Sequence, residues 1–252
     1  MIVLDGVTKR YGAKAVVDDV SLALGDVGIT SIIGANGAGK STLLSLIGRL
    51  LPLSSGRVTI DDLDITTAQG DDLARRMSIL RQENHISARL TVRDLVGFGR
   101  YPHSKGRPGP DDLAAVDQAL DYLDLTDLST RFLDELSGGQ RQRAYIAMVL
   151  AQDTHYVLLD EPLNSLDLKH SLEIMRLLRR MADDLDKRIL IVLHDINIAA
   201  AHSDKIVAMA DGHIVAAAHP DEVVTPEILE AVFDIPIDVR QIDGRKVALC
   251  FG

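Results

Sequence analysis

Gly34-Ala35-Asn36-Gly37-Ala38-Gly39-Lys40-Ser41 decides how the rest of this 252-residue chain is read. It follows the β-branched run 27–33 and opens the segment 41–51, where Leu43, Leu44, Ile47 and Leu51 recur at helical spacing. A strand, a glycine loop and a helix in that order begin a parallel sheet. The glycines let the backbone curl so that successive N–H groups point inward, and the helix start adds the positive end of its dipole. Such a cradle holds phosphate. Gly34, Asn36, Gly37, Ala38, Gly39 and Thr42 are its expected lining, Lys40 reaches the β- and γ-phosphates, and the Ser41 hydroxyl serves Mg²⁺.

Working outward, 1–5 and 16–24 read as further strands, separated by the turn residues Gly12 and Gly25. Between 71 and 133 the pattern changes to amphipathic helices at 92–98 and 111–123, flanking a Pro-, Gly- and base-rich loop at 101–110. From 154 the α/β rhythm returns: a strand at 156–159, a helix at 168–182 and a strand at 189–193. A hairpin follows, 207–209 and 213–217 joined by Asp211-Gly212, and a second hairpin is centred on Asp243-Gly244. The expected fold class is α/β: a P-loop NTPase core with a mixed, mainly parallel sheet and helices, an antiparallel β subdomain and an inserted helical subdomain. One domain, 1–252, is expected, with 1–81 and 154–252 as its core and 82–153 as the helical part.

The formal net charge of -10 argues against nucleic acid as a partner, because phosphate backbones select clustered Lys and Arg. A single cysteine, Cys250, allows neither a disulfide framework nor a multi-thiolate metal site within the chain, which fits a reducing compartment. No run reaches the ~18 uncharged apolar residues of a spanning helix. The richest stretches, 43–53 and 189–201, are broken by Arg49 and by His194-Asp195. The first ten residues lack the basic start and apolar block of a secretory signal, so any membrane role is expected to come through a partner.

Tyr156-Val157-Leu158-Leu159-Asp160-Glu161 is an apolar strand ending in two carboxylates. With a phosphate cradle upstream, Asp160 falls beside it as a Mg²⁺ ligand, and Glu161 falls one residue nearer the γ-phosphate, where a water needs orientation and a proton acceptor. Leu136-Ser137-Gly138-Gly139-Gln140, with Arg141-Gln142-Arg143 and an apolar helix at 144–150, makes a second helix start with free N–H groups and a hydroxyl, hence a second anion site.

Taken with the other two motifs, this last run resembles the signature motif of the ABC transporter ATPases, and the resemblance extends over essentially the whole chain. It implies an ATPase that uses ATP and Mg²⁺ and pairs head to tail as a homodimer or pseudo-dimer, with Ser137, Gly139 and Gln140 of one copy completing the ATP site of the other. It also implies that Tyr11, in Lys9-Arg10-Tyr11-Gly12, stacks on adenine. Gln82, after Ser78-Ile79-Leu80-Arg81, would reach Mg²⁺ and the attacking water; Asp167 would join the two sites; His194 would contact the γ-phosphate. The other histidines, His85, His103, His155, His170, His202, His213 and His219, lack metal-ligand spacing, and no zinc site is expected. Two departures from the family form stand out: Ala35 in place of a common proline, and Pro162-Leu163-Asn164-Ser165 in place of a threonine-rich loop. Neither removes a donor or acceptor that the chemistry needs.

The family's partners would be integral-membrane permease subunits, docked near Gln82 and along 84–101 on the cytoplasmic face of the membrane, and indirectly an extracytoplasmic substrate-binding protein. Cargo is suggested by two runs that resemble importers of iron-siderophore complexes: Leu90-Thr91-Val92-Arg93-Asp94-Leu95-Val96-Gly97-Phe98-Gly99-Arg100-Tyr101-Pro102, and Pro162 through Leu168-Lys169-His170. Haem or cobalamin import is the alternative, followed by a non-transport ABC ATPase. Against the last, the chain has neither a long coiled-coil insertion nor a second cassette, and a GTPase would need an Asn-Lys-x-Asp loop that is missing.

Overall fold

The central strands form because their Ile, Leu and Val side chains point alternately to two faces, and both faces are covered. The computed structural model describes residues 1–82 and 88–249. Residues 84–87 of the expected docking stretch, including His85, and Cys250 lie outside the described residues. The chain runs β1 (Ile2–Tyr11), β2 (Lys14–Leu24), β3 (Ile29–Gly34), α1 (Lys40–Ile47), β4 (Ser55–Ile60), β5 (Leu63–Asp64), α2 (Gly70–Ala74) and β6 (Met77–Leu80). Helices α3 (Val92–Phe98), α4 (Tyr101–Ser104), α5 (Pro110–Tyr122) and α6 (Gly138–Ala151) follow. Then come β7 (Tyr156–Leu159), α7 (Leu168–Asp184), β8 (Arg188–Val192), α8 (Ile196–His202), β9 (Lys205–Ala210) and β10 (His213–Ala218). The described chain closes with α9 (Pro220–Val223), α10 (Pro226–Phe233), β11 (Asp238–Ile242) and β12 (Arg245–Leu249).

One sheet has the order β10-β9-β3-β8-β7-β6, parallel throughout except for β10, which pairs antiparallel with β9. A second, antiparallel sheet has the order β2-β1-β4-β5, and β11 and β12 form a separate hairpin. The parallel strands divide two cores. Ile29, Ile33, Val157, Leu159, Ile189 and Ile191 face a core shared with α3, α5, α6 and α7. Ile32, Leu158, Leu190 and Val192 face the other, which holds α1 and the antiparallel sheet. Every residue of β3 and β7 is buried, as a strand covered on both sides requires.

Several boundaries differ from the sequence reading, each for a local reason. β1 does not stop near residue 5. Its ladder with β2 shifts register between Leu4 and Val7, around the left-handed Gly6, and then continues to Tyr11. α1 ends at Ile47 rather than 51: Arg49 takes a left-handed conformation, its N–H bonds Leu46 O at 3.1 Å, and the Leu50 N–H bonds Ser45 O at 2.8 Å. That is a Schellman closure with arginine where glycine usually signals it. The 101–110 loop contains the short α4, and the signature helix begins at Gly138, well before the apolar stretch 144–150. β4 and β5 have no counterpart in the sequence reading.

Candidate active site

β3 ends at Gly34 and the chain turns through the glycine loop into α1 at Lys40. Gly39 is left-handed, and a Cβ there would lie 2.4 Å from Val16 O, so backbone conformation and contact with β2 both demand glycine. The loop is tied to the β9–β10 turn, where the Gly212 N–H bonds Ala38 O at 3.1 Å. Asn36 and Gly37 are exposed, whereas Ala38, Gly39 and Lys40 are buried. Lys40 Nζ donates to Gly34 O at 2.9 Å and to Ala35 O at 3.0 Å, inside the curl of the loop. Burial drives this ammonium below the usual lysine range, with Glu161 and Asp160 opposing the shift.

Ser41, at the second position of α1, donates its hydroxyl to Asp160 Oδ1 at 2.7 Å, which brings the strand end after β7 to the loop. Thr42, one residue on, is half-buried. Burial holds the Asp160 carboxyl above the usual carboxylate range and Glu161 adds to this, while Ser41, Lys40 and Arg81 pull it down. A half-buried carboxylate and a hydroxyl side by side are hard oxygen donors suited to Mg²⁺, which keeps most of its waters and takes one or two protein ligands. The residues present therefore fit Mg²⁺, and bound cation charge would oppose the proton uptake that burial favours at Asp160.

Glu161 is left-handed, and its side chain is 9% exposed. Three side chains converge on its carboxylate. Gln82 Nε2 donates to Oε2 at 2.6 Å, Asn164 Nδ2 donates to the same oxygen, and His194 Nε2 lies 2.9 Å from Oε1. His194 arrives from the β8 side, although β8 ends at Val192; Leu193 still bonds Ile32 O at 3.1 Å, which carries the sheet alignment one residue further. The structure thus gathers Lys40, Ser41, Asp160, Glu161, Gln82 and His194 into one site. Asn164 is a member that sequence reasoning missed, and its one signal was the departure from the threonine-rich loop.

Other expected residues lie elsewhere. Tyr11 is 53% exposed at the end of β1, opposite Lys14, with Lys9 Nζ 5.1 Å from its ring centre. It shares the β1–β2 hairpin with Val16, the residue whose carbonyl abuts Gly39. Ser137 caps α6: its side chain accepts the Gln140 N–H at 3.3 Å, and Gln140 Oε1 accepts the Ser137 N–H at 3.0 Å. Among the described residues, no hydrogen bond or ion pair joins Ser137, Gly139 or Gln140 to the glycine loop of the same protomer.

The sequence profile of the ABC transporter family matches residues 17–164, more than half of the chain. The chain belongs to the ABC transporter family. Its relatives include the petrobactin import ATP-binding protein YclP of Bacillus subtilis (strain 168), 49% identical over the whole length of both chains. The petrobactin import ATP-binding protein FatE of Bacillus anthracis is 51% identical over 95% of this chain and 96% of its own length. Among solved structures, an inward-facing metal-chelate-type ABC transporter aligns with a TM-score of 0.82 at 27% identity, covering 98% of this chain and 97% of that one. A dimeric bacterial ABC transporter cassette aligns at 0.76 and 29% identity, covering 87% of this chain and 99% of that one. As an ABC ATPase this protein binds ATP, and its sheets and inserted helices are those of the P-loop NTPase class. Among the described residues, no helix is long and apolar enough to cross a membrane.

Proposed function

We propose that this protein is the ATP-hydrolysing motor of an importer for iron-siderophore complexes, working as a homodimer with two ATP molecules at its interface. The observation that carries the catalytic part is the Glu161 carboxylate, held by Gln82, Asn164 and His194 beside the Ser41–Asp160 pair. Three polar contacts on one carboxylate fix its orientation, which is what a base acting on a water in line with the γ-phosphate needs. Lys40 and the N–H groups from Gly34 to Thr42 would bind and orient the triphosphate, and Tyr11 would pack on the base. Ser41 and Asp160 would hold Mg²⁺, with Gln82 approaching through water; the ion would supply charge neutralisation at the phosphates. His194 would donate to a γ-phosphate oxygen. Among the described residues, Ser137, Gly139 and Gln140 have no hydrogen-bond or ion-pair partner at the glycine loop of their own protomer, which supports their use on the nucleotide of a second copy.

Coupling to a permease is supported by a groove of about 660 Å³ beside α3, α4 and α5. Phe98 and Tyr101 stand 53% and 61% exposed on it, alongside Arg93 and Leu113. An apolar floor with polar edges suits a short amphipathic helix of a membrane subunit. Arg93 is ion-paired with Asp117, so it is a rim residue. The cargo assignment rests on the two petrobactin relatives and on the 90–102 and 162–170 runs. A hemin import ATP-binding protein of Bordetella pertussis is further away at 38% identity.

Glu161→Gln tests the core of this reading. The amide keeps the size of the side chain and removes the base, so ATP binding should persist, turnover should fall by about 10²–10⁴-fold, and an ATP-bound dimer should accumulate. Turnover within tenfold of the parent overturns the assignment of Glu161.

A further inference from the structure

Sequence spacing gives His170 no role, yet its ring lies against the signature turn. A Cβ built on Gly139 would stand 2.4 Å from His170 Cδ2, 2.9 Å from Cγ and 3.2 Å from Nε2, so the imidazole fills the volume that any side chain at position 139 would need. The ring is held from its other edge. Asp167 caps α7 by accepting the His170 N–H at 2.8 Å, and the same Oδ1 lies 2.8 Å from His170 Nδ1. That second contact needs the proton on Nδ1, which directs the Cδ2 and Nε2 edge at Gly139. Leu166 covers the neighbouring position, its Cδ2 lying 3.8 Å from a Cβ built on Gly138. Two helix starts, those of α6 and α7, therefore meet through one imidazole and one leucine.

This contact matters because Gly138 and Gly139 have no side chains of their own to hold the turn. A glycine pair is conformationally loose, whereas an anion grip works only when its donors are already aimed. We infer that His170 is a positioning residue: its ring, clamped by Asp167, fixes the Ser137 to Gly139 turn against the 164–167 loop, so that the surfaces one protomer offers to a second copy move as a unit. The inference rests on the head-to-tail dimer proposed above. Asp167 suits the clamp. The His170 N–H, and then its ring, hold the Asp167 carboxyl below the usual carboxylate range, so it remains an acceptor at neutral pH.

The test uses the full chain carrying Glu161→Gln, with ATP-dependent dimerisation followed by sedimentation. His170→Ala should weaken that dimer about tenfold, within the ~5–150-fold span of coupling between sites. Affinity of the monomer for a fluorescent ATP analogue should not change, because the glycine loop is untouched. His170→Phe keeps a ring in the gap without the Nδ1 donor and should recover part of the loss, and an unfolding midpoint of His170→Ala close to the parent's separates this from a general destabilisation of α7. A packing cycle supplies a second readout. Gly139→Ala should lower the unfolding midpoint less in a His170→Ala background than in the parent, because the obstructing ring is gone. If the Glu161→Gln parent does not dimerise with ATP, the dimer reading itself fails and takes this inference with it. If the parent dimerises and His170→Ala dimerises equally well, or if the two packing costs simply add, the positioning role alone is refuted.

Discussion

Asn164→Asp converts an amide that donates to Glu161 into a second carboxylate facing the first. The lost hydrogen bond to a charged acceptor contributes about 1.5–3 kcal/mol. Two carboxylates ~3 Å apart repel by about 5 kcal/mol at an effective dielectric of ~20. Residue 164 is exposed, so rotation into solvent and screening relieve much of that repulsion. The remaining cost, about 3 kcal/mol in holding the base in line, corresponds to about 100-fold in kcat. Asn164→Ala forfeits only the hydrogen bond and should lose about tenfold, because Gln82 and His194 still hold the carboxylate. The assay is phosphate release at saturating ATP, with KM for ATP measured in parallel. KM should move little, since Asn164 touches the base and not the glycine loop. An Asn164→Asp protein within about threefold of wild-type kcat, or one faster than Asn164→Ala, would refute the idea that Asn164 orients Glu161.

Lys40→Ala should abolish tight nucleotide binding, and Ser137→Arg should block the dimer while leaving the monomer folded. On the proposed composite site, which draws on both copies, an equal mixture of the two variants should regain at most one working site per dimer, and phosphate release from the mixture checks this. Tyr156 is buried and donates to Asp61 Oδ1 at 2.6 Å; burial first, and Asp61 second, push its hydroxyl above the usual tyrosine value. The folded state therefore keeps a proton that the unfolded chain releases near pH ~10, so stability should decline as pH rises beyond that point, by up to ~1.4 kcal/mol per pH unit for this group. Tyr122 and Tyr145 shift in the same direction and add to the decline. Tyr156→Phe should lessen that slope and cost about 1 kcal/mol at neutral pH, read from urea melts between pH 8 and about 11.

What the sequence announced were features whose cause is local. The glycine loop needs left-handed residues and a helix start, so it is written in consecutive letters, and so is the apolar strand that ends in Asp160 and Glu161. Features set by approach in space stayed hidden. β4 begins Ser55-Gly56-Arg57, all exposed, and gives no strand pattern until Val58. Arg49 closes α1 in a conformation that glycine would have advertised. Asn164 and His170 acquire their roles from what the fold sets beside them, Glu161 in one case and a glycine of another helix in the other. Neither neighbour is predictable from spacing alone.

The six-stranded sheet, buried on both sides, has a consequence for how such a motor diversifies. Substituting Leu159 disturbs the core shared with α3, α5, α6 and α7, whereas substituting Leu158 disturbs the core that supports the glycine loop. Adjacent letters of the gene thus address separate compartments across a stiff partition. The groove proposed for a membrane partner can be re-cut from one side of the partition, provided that the starts of α6 and α7, which lie on that same side, are left unchanged.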